Sequence, residues 1–205
     1  MGETAFYTDA AKKRVAEAVA DAEACTSAEV VVVVCRTSAR WREVDLAVGA
    51  AASFGVLLLL LFHPRPIAVE IMPVDVALSF LGAAVLSASI APFKRALLPR
   101  ARVADQVRRA AKAAFVDQGV SRTRGRTGIL VYASTFERRV EVVADVGVDA
   151  KLLELQTKAL AASLARGADL DAFVEGVRAF GPALAAALPR ADDDVNELPD
   201  APVVS

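Results

Sequence analysis

The chain has 205 residues, with 24 Lys and Arg against 25 Asp and Glu, for a formal net charge of −1. That balance gives no support to a nucleic-acid partner, which calls for an excess of basic charge. The 55% hydrophobic content is raised by two uncharged runs, 46–62 and 76–93. With 44–93 set aside, about 155 residues remain, enough to bury one core.

Thr8 or Asp9 caps a predicted helix reaching about Ala24, with Val15, Ala18, Val19 and Ala22 on one face. Val30–Cys35, VVVVVC, reads as a strand buried on both faces, central in a sheet with helices on each side. Trp41, set among Arg36, Arg40 and Arg42, suits a membrane headgroup region. The two apolar runs follow, seventeen and eighteen residues long. As helices they lie at the short end of what spans a bilayer core of roughly 30 Å. Three prolines between them favour a helical hairpin.

Ser79, Ala83, Ser87 and Ala91 recur every four residues, and Gly49 and Ser53 offer a matching strip. Small residues at this spacing let helices approach closely in lipid. Asp45 and Asp75 are read as solvated boundary residues, and the single His63 as an exposed interfacial side chain. Arg36, Arg40 and Arg42 precede the first span; Lys94, Arg95, Arg100 and Arg102 follow the second; only Arg65 lies between. This asymmetry places both termini in the cytoplasm. The first residues lack an apolar h-region, so no secretory signal is expected. Cys25 and Cys35 are expected as free, mostly buried thiols in a reducing compartment.

Residues 101–117 form a predicted amphipathic helix with Val103, Val107, Ala111, Ala114 and Phe115 as its stripe, ended by Gly119. The second strand is 128–134, and a short turn makes the third return antiparallel. There Val140, Val142, Ala144 and Val146 alternate with Arg139, Glu141, Val143 and Asp145. Asp149 caps a helix to about Arg166, and Asp169 another, kinked at Gly181-Pro182. The last residues are acidic and expected to be extended. The fold class is therefore α/β, a small mixed sheet sandwiched by helices and interrupted by a two-helix transmembrane hairpin. Segments 1–43 and 94–189 make one cytoplasmic domain, 44–93 the hairpin and 190–205 the acidic tail.

If strand one runs parallel to strand two and strand three antiparallel, Glu29, Asp145 and Arg126 share one end of the sheet. Glu29, Asp145 and Asp149 offer oxygen ligands that suit Ca²⁺ or Mg²⁺, which can polarise a phosphate. The other reading makes Asp149 a helix cap and Glu29 the partner of an arginine. Arg122, Arg124 and Arg126 fit an anion such as phosphate or a lipid headgroup, or neutralise nearby acids. The loop is not a P-loop, since it lacks the Gly-Lys-Ser/Thr ending and leads into a strand. The single His rules out a cytoplasmic Ser/His/Asp set, and there is no Cys/His zinc spacing.

Several stretches resemble the TPM domain family, also called DUF477, in its membrane-embedded bacterial branch. They are Thr26-Ser27-Ala28-Glu29-Val30, the run from Arg122 through Gly128 to Leu130, Glu137-Arg138-Arg139-Val140-Glu141, Ala144-Asp145-Val146-Gly147-Val148, and Asn196-Glu197-Leu198-Pro199-Asp200. The resemblance implies an α/β sandwich, phosphatase-like activity, and upkeep or regulation of membrane protein complexes. The expected function is a scaffold or accessory factor in the bacterial inner membrane. Its partners are the bilayer and other membrane proteins, or a second copy through the hairpin. The alternative is a divalent-metal-dependent phosphatase.

Overall fold

A computed structural model describes residues 2–64, 68–165, 167–190 and 196–204. Arg65, the predicted helix end at Arg166 and the tail residues 191–195 lie outside them. The first elements are α1 (Gly2–Ala5), α2 (Asp9–Glu23) and β1 (Val30–Cys35). Next come α3 (Arg42–Leu61), α4 (Met72–Ser89), α5 (Ala91–Leu97) and α6 (Arg100–Asp117). Then follow β2 (Ile129–Ser134), β3 (Arg139–Ala144), α7 (Glu154–Ala165), α8 (Leu170–Arg178), α9 (Phe180–Leu184) and β4 (Val203–Val204). The chain divides into two compact units, Met1–Ser38 with Val103–Ser205, and Ala39–Arg102.

In the larger unit the sheet order is β3-β2-β1-β4. β1 pairs parallel with β2, and β2 antiparallel with β3, as the sequence predicts. Every residue of β1 and β2 is buried, which the unbroken β-branched run of β1 requires. Val30, Val32, Val34, Ile129, Val131 and Ala133 join a core built with α2, α7 and α8. Phe6 meets Phe173 edge-to-face in that core, with ring centroids 5.3 Å apart. By alternation Val31, Val33, Leu130 and Tyr132 belong to the opposite face, and they too are buried. α6 buries Val103, Val107 and Ala111, and its Arg108 reaches Glu141 of β3 at 3.4 Å.

Three expectations change here. β3 stops at Ala144, so the alternation breaks: Val146 is 85% exposed and Asp145 is buried. The last helix is interrupted at Ala179, ahead of Gly181-Pro182, because Pro182 has no N–H to donate to the Arg178 carbonyl four residues earlier. The described tail residues 196–204 are held by the fold. Val203 and Val204 pair parallel with Val33 and Val34 and close the free edge of β1.

In the smaller unit α3 and α4 form an antiparallel-connected hairpin whose helices pack on each other. α4 begins at Met72, four residues before the apolar run, because Pro73 fits the first turn of a helix. Gly49 is buried, and its close neighbour is Phe80 rather than the Ser79/Ala83/Ser87/Ala91 strip. Asp45 is not solvated. Its carboxylate accepts from Ser87 Oγ at 2.9 Å and pairs with Lys94 Nζ at 2.6 Å, both side chains being 13% exposed. Trp41 is 4% exposed, with the Arg102 guanidinium 5.9 Å above its ring. Its indole is thus used in packing and a cation–π contact.

Candidate functional site

The strand directions bring three chain segments to one end of the sheet. Val30 is opposite Ile129, and Ile129 opposite Ala144. The residues just outside these positions follow: Ile129 N donates to Glu29 O at 2.8 Å, and Asp145 N to Gly128 O at 2.9 Å. Glu29, Arg126 and Asp145 therefore share this rim, as the sequence argument placed them. What they do with their side chains differs.

Asp145 is 5% exposed and is held by Arg126. One guanidinium nitrogen donates to Oδ1 at 2.9 Å. Arg126 Nε lies 2.8 Å from Oδ2, an ion-pair contact without hydrogen-bond alignment. Val146 N donates to Oδ1 at 2.7 Å. Arg126 sits in the left-handed region, φ 54°, a conformation that costs a non-glycine residue of order 1–3 kcal/mol. It is held there by Gly147 N donating to Arg126 O at 2.9 Å and by the Asp145 pair.

Glu29 takes a different partner. Its Oε1 accepts Glu197 N and its Oε2 accepts Leu198 N, each at 3.2 Å, so it holds the tail. Arg124 reinforces this, its backbone N donating to Glu197 Oε2 at 3.0 Å. Asp149 is exposed and caps a short 3₁₀ turn, Oδ1 accepting Lys151 N at 3.0 Å. Arg122 is exposed at the end of the turn Val120–Arg122. So the helix-cap role belongs to Asp149, and Arg126 pairs with Asp145.

N–H donors and a divalent cation compete for the same carboxylate lone pairs. Glu29 and Asp145 already have such donors, and Asp149 is engaged at its own turn. Glu29, Asp145 and Asp149 as placed do not form a ready coordination shell. Among the described residues no three His, Cys, Asp or Glu side chains gather to hold a metal.

Sequence reasoning missed Glu23 and the docked tail. Glu23 Oε1 accepts Val30 N at 2.8 Å, and with Thr26, Glu29, Arg190, Asn196 and Asp200 it lines a hollow of about 170 Å³. Burial pushes its carboxyl up to about 8; the Val30 hydrogen bond opposes this, and Glu29 and Asp200 add to it. The signal was present in the sequence, where the tail carries both an acid-rich motif and Val203-Val204.

A carboxyl whose folded pKa lies above its ordinary 4.5 favours the folded state while protonated. That contribution is complete below about pH 4.5 and is lost as pH rises through about 8. The melting temperature of the larger unit should therefore fall across this window, and Glu23→Gln should flatten the fall. A slope that Glu23→Gln leaves unchanged would remove Glu23 as its source.

No protein-family model matches the chain, and no curated protein matches it. Its fold is similar to that of the BA42 protein from the psychrophilic bacterium Bizionia argentinensis, solved by NMR. The TM-score is 0.58 at 18% identity, over 97% of this chain and 94% of that one. At that identity the likeness concerns the fold alone.

Proposed function

We propose that the protein is a membrane-anchored accessory factor of TPM-domain type, a scaffold for a membrane protein complex at the inner face of the bacterial inner membrane. The hairpin carries this reading. At 20 and 18 residues, α3 and α4 are about 30 Å and 27 Å long. Their outward faces expose Phe54, Leu59, Leu61, Leu78, Leu81 and Val85, each more than half accessible. Apolar surface on this scale calls for lipid or a protein partner to cover it. Asp45 and Lys94 neutralise each other, so the hairpin offers no ion pathway through these two charges.

The resemblance to the TPM family supplies the accessory role, and the asymmetry of flanking basic residues supplies the orientation, with both termini cytoplasmic. The phosphatase reading ranks second, because the rim carboxylates that would take Ca²⁺ or Mg²⁺ are committed to Arg126 and to tail amides. Photo-crosslinkers at Leu59, Leu81 and Val85 should capture another protein chain or a second copy from one face of the hairpin in native membranes. Adducts with lipid alone, at all three positions, would leave an anchor without an assembly role.

A further inference from the structure

At the end of the sheet opposite the acidic rim lies a second cleft, of about 380 Å³, lined by Glu3, Thr4, Tyr7, Arg36 and Thr135. Its volume is that of a small-molecule pocket. Arg36 and Thr135 are the first residues beyond β1 and β2, whose last residues, Cys35 and Ser134, are register partners. Open α/β sheets hold ligands beyond the carboxyl ends of their strands, where the chain connections part to either side. The cleft lies beyond the carboxyl ends of β1 and β2, which run parallel.

We propose that this cleft binds a small organic oxyanion, a carboxylate or phosphate group on an apolar body, with Arg36 as the cation and the Tyr7 hydroxyl as donor, Thr135 donating to Tyr7 in turn.

Three observations fit that chemistry. Arg36 is exposed and forms no ion pair among the described residues, whereas Glu3 is met by Arg138 at 3.6 Å. Tyr7 Oη and Thr135 Oγ1 are 2.9 Å apart. Burial holds the Tyr7 phenol above its ordinary range, while the Thr135 hydrogen bond and the Arg36 charge oppose that shift. The phenol therefore stays neutral and keeps a proton to donate. The lining is mostly apolar.

The loop that presents Arg36 is fixed by a buried carboxylate. Glu137 is 8% exposed. Its Oε1 accepts Thr37 Oγ1 at 2.9 Å, Ser38 N at 3.1 Å and Ser38 Oγ at 3.0 Å. Its Oε2 accepts Ser134 Oγ. Phe136 N donates to Arg36 O at 2.9 Å, and Thr135 N to Cys35 O at 3.0 Å. A burial this well satisfied locks the backbone on both sides of the cleft, and a site set in advance loses less entropy on binding.

The test is isothermal titration of the full chain in lipid nanodiscs with phenyl phosphate and benzoate, beside inorganic phosphate and neutral benzamide. Saturable binding of at least one aromatic anion is expected, with inorganic phosphate and benzamide roughly tenfold weaker or worse, since a charge-assisted contact is worth that factor. Arg36→Gln should weaken the anion by roughly tenfold or more, and Tyr7→Phe, which keeps the ring, should weaken it less. Arg36 is exposed, so an unchanged melting temperature is expected for Arg36→Gln. No saturable binding of either aromatic anion at millimolar concentration would overturn the proposal. So would equal affinity for benzoate and benzamide, or an affinity that Arg36→Gln leaves intact. If inorganic phosphate binds as tightly as phenyl phosphate, the apolar body plays no part and the proposed ligand class is wrong.

Discussion

Gly128→Ala is expected to destabilise the α/β unit by about 3 kcal/mol, lowering its melting temperature by about 6–12 °C. Gly128 stands directly before β2, and a Cβ there would land on the Val120 carbonyl oxygen and 2.7 Å from Val120 Cγ1. Val120 is fully buried in the turn that follows α6. Gly128 cannot retreat, because its own carbonyl accepts Asp145 N at 2.9 Å. Relief requires either the α6 turn or the β2–β3 ladder to move, and both position the Arg126–Asp145 pair. Gly125→Ala is the control, since its nearest neighbours are atoms of the Thr127 side chain at 3.2 Å and 3.3 Å. Circular dichroism melts of the two variants decide the matter. Equal melting temperatures would mean that the β2 start is not locked against Val120.

Gly49→Leu should separate the two apolar helices and cost about 1–3 kcal/mol of hairpin stability. A Cβ at Gly49 would stand 2.9 Å from the Phe80 carbonyl oxygen and 3.1 Å from two atoms of its ring. Backbone oxygen cannot be moved by a rotamer change, so α4 must shift as a body. In lipid the helices have no hydrophobic drive toward each other, and close packing at such a glycine is much of what holds them. Gly55 and Gly82 provide the comparison, because a Cβ at either meets nothing within 4 Å. Gly82→Leu should be tolerated in limited proteolysis of detergent-solubilised protein, while Gly49→Leu opens the hairpin to cleavage. Matching behaviour of the two would show that Phe80 is not the point of closest approach.

Much of the sheet could be read from sequence because its signals are local. VVVVVC admits only a buried strand, and the short turn at 135–138 permits only an antiparallel return. From those directions the meeting of Glu29, Arg126 and Asp145 at one rim follows by register alone. Which acid takes which partner does not follow. It depends on the left-handed Arg126 and on Gly147, which seats against the Gly125 and Arg126 carbonyls, a local turn that no periodicity announces.

Long-range partners leave only a faint local signal. β4 is two residues long and pairs with Val33 and Val34 from the far end of the chain. Asp45 finds Lys94 across 49 residues. Cys25 was expected to be mostly buried but is exposed, because it lies just past the end of α2, outside the helix's buried face. The cleft at Arg36 left no motif, since its five lining residues come from three separated segments.

The measurement closest to the central claim is photo-crosslinking in native membranes from Leu59, Leu81 and Val85. A protein adduct of one discrete mass, obtained from one face of the hairpin and lost in Gly49→Leu, is the predicted result. Lipid-only adducts from every position, with the protein extracting as a monomer, would contradict an accessory role and reduce the hairpin to an anchor.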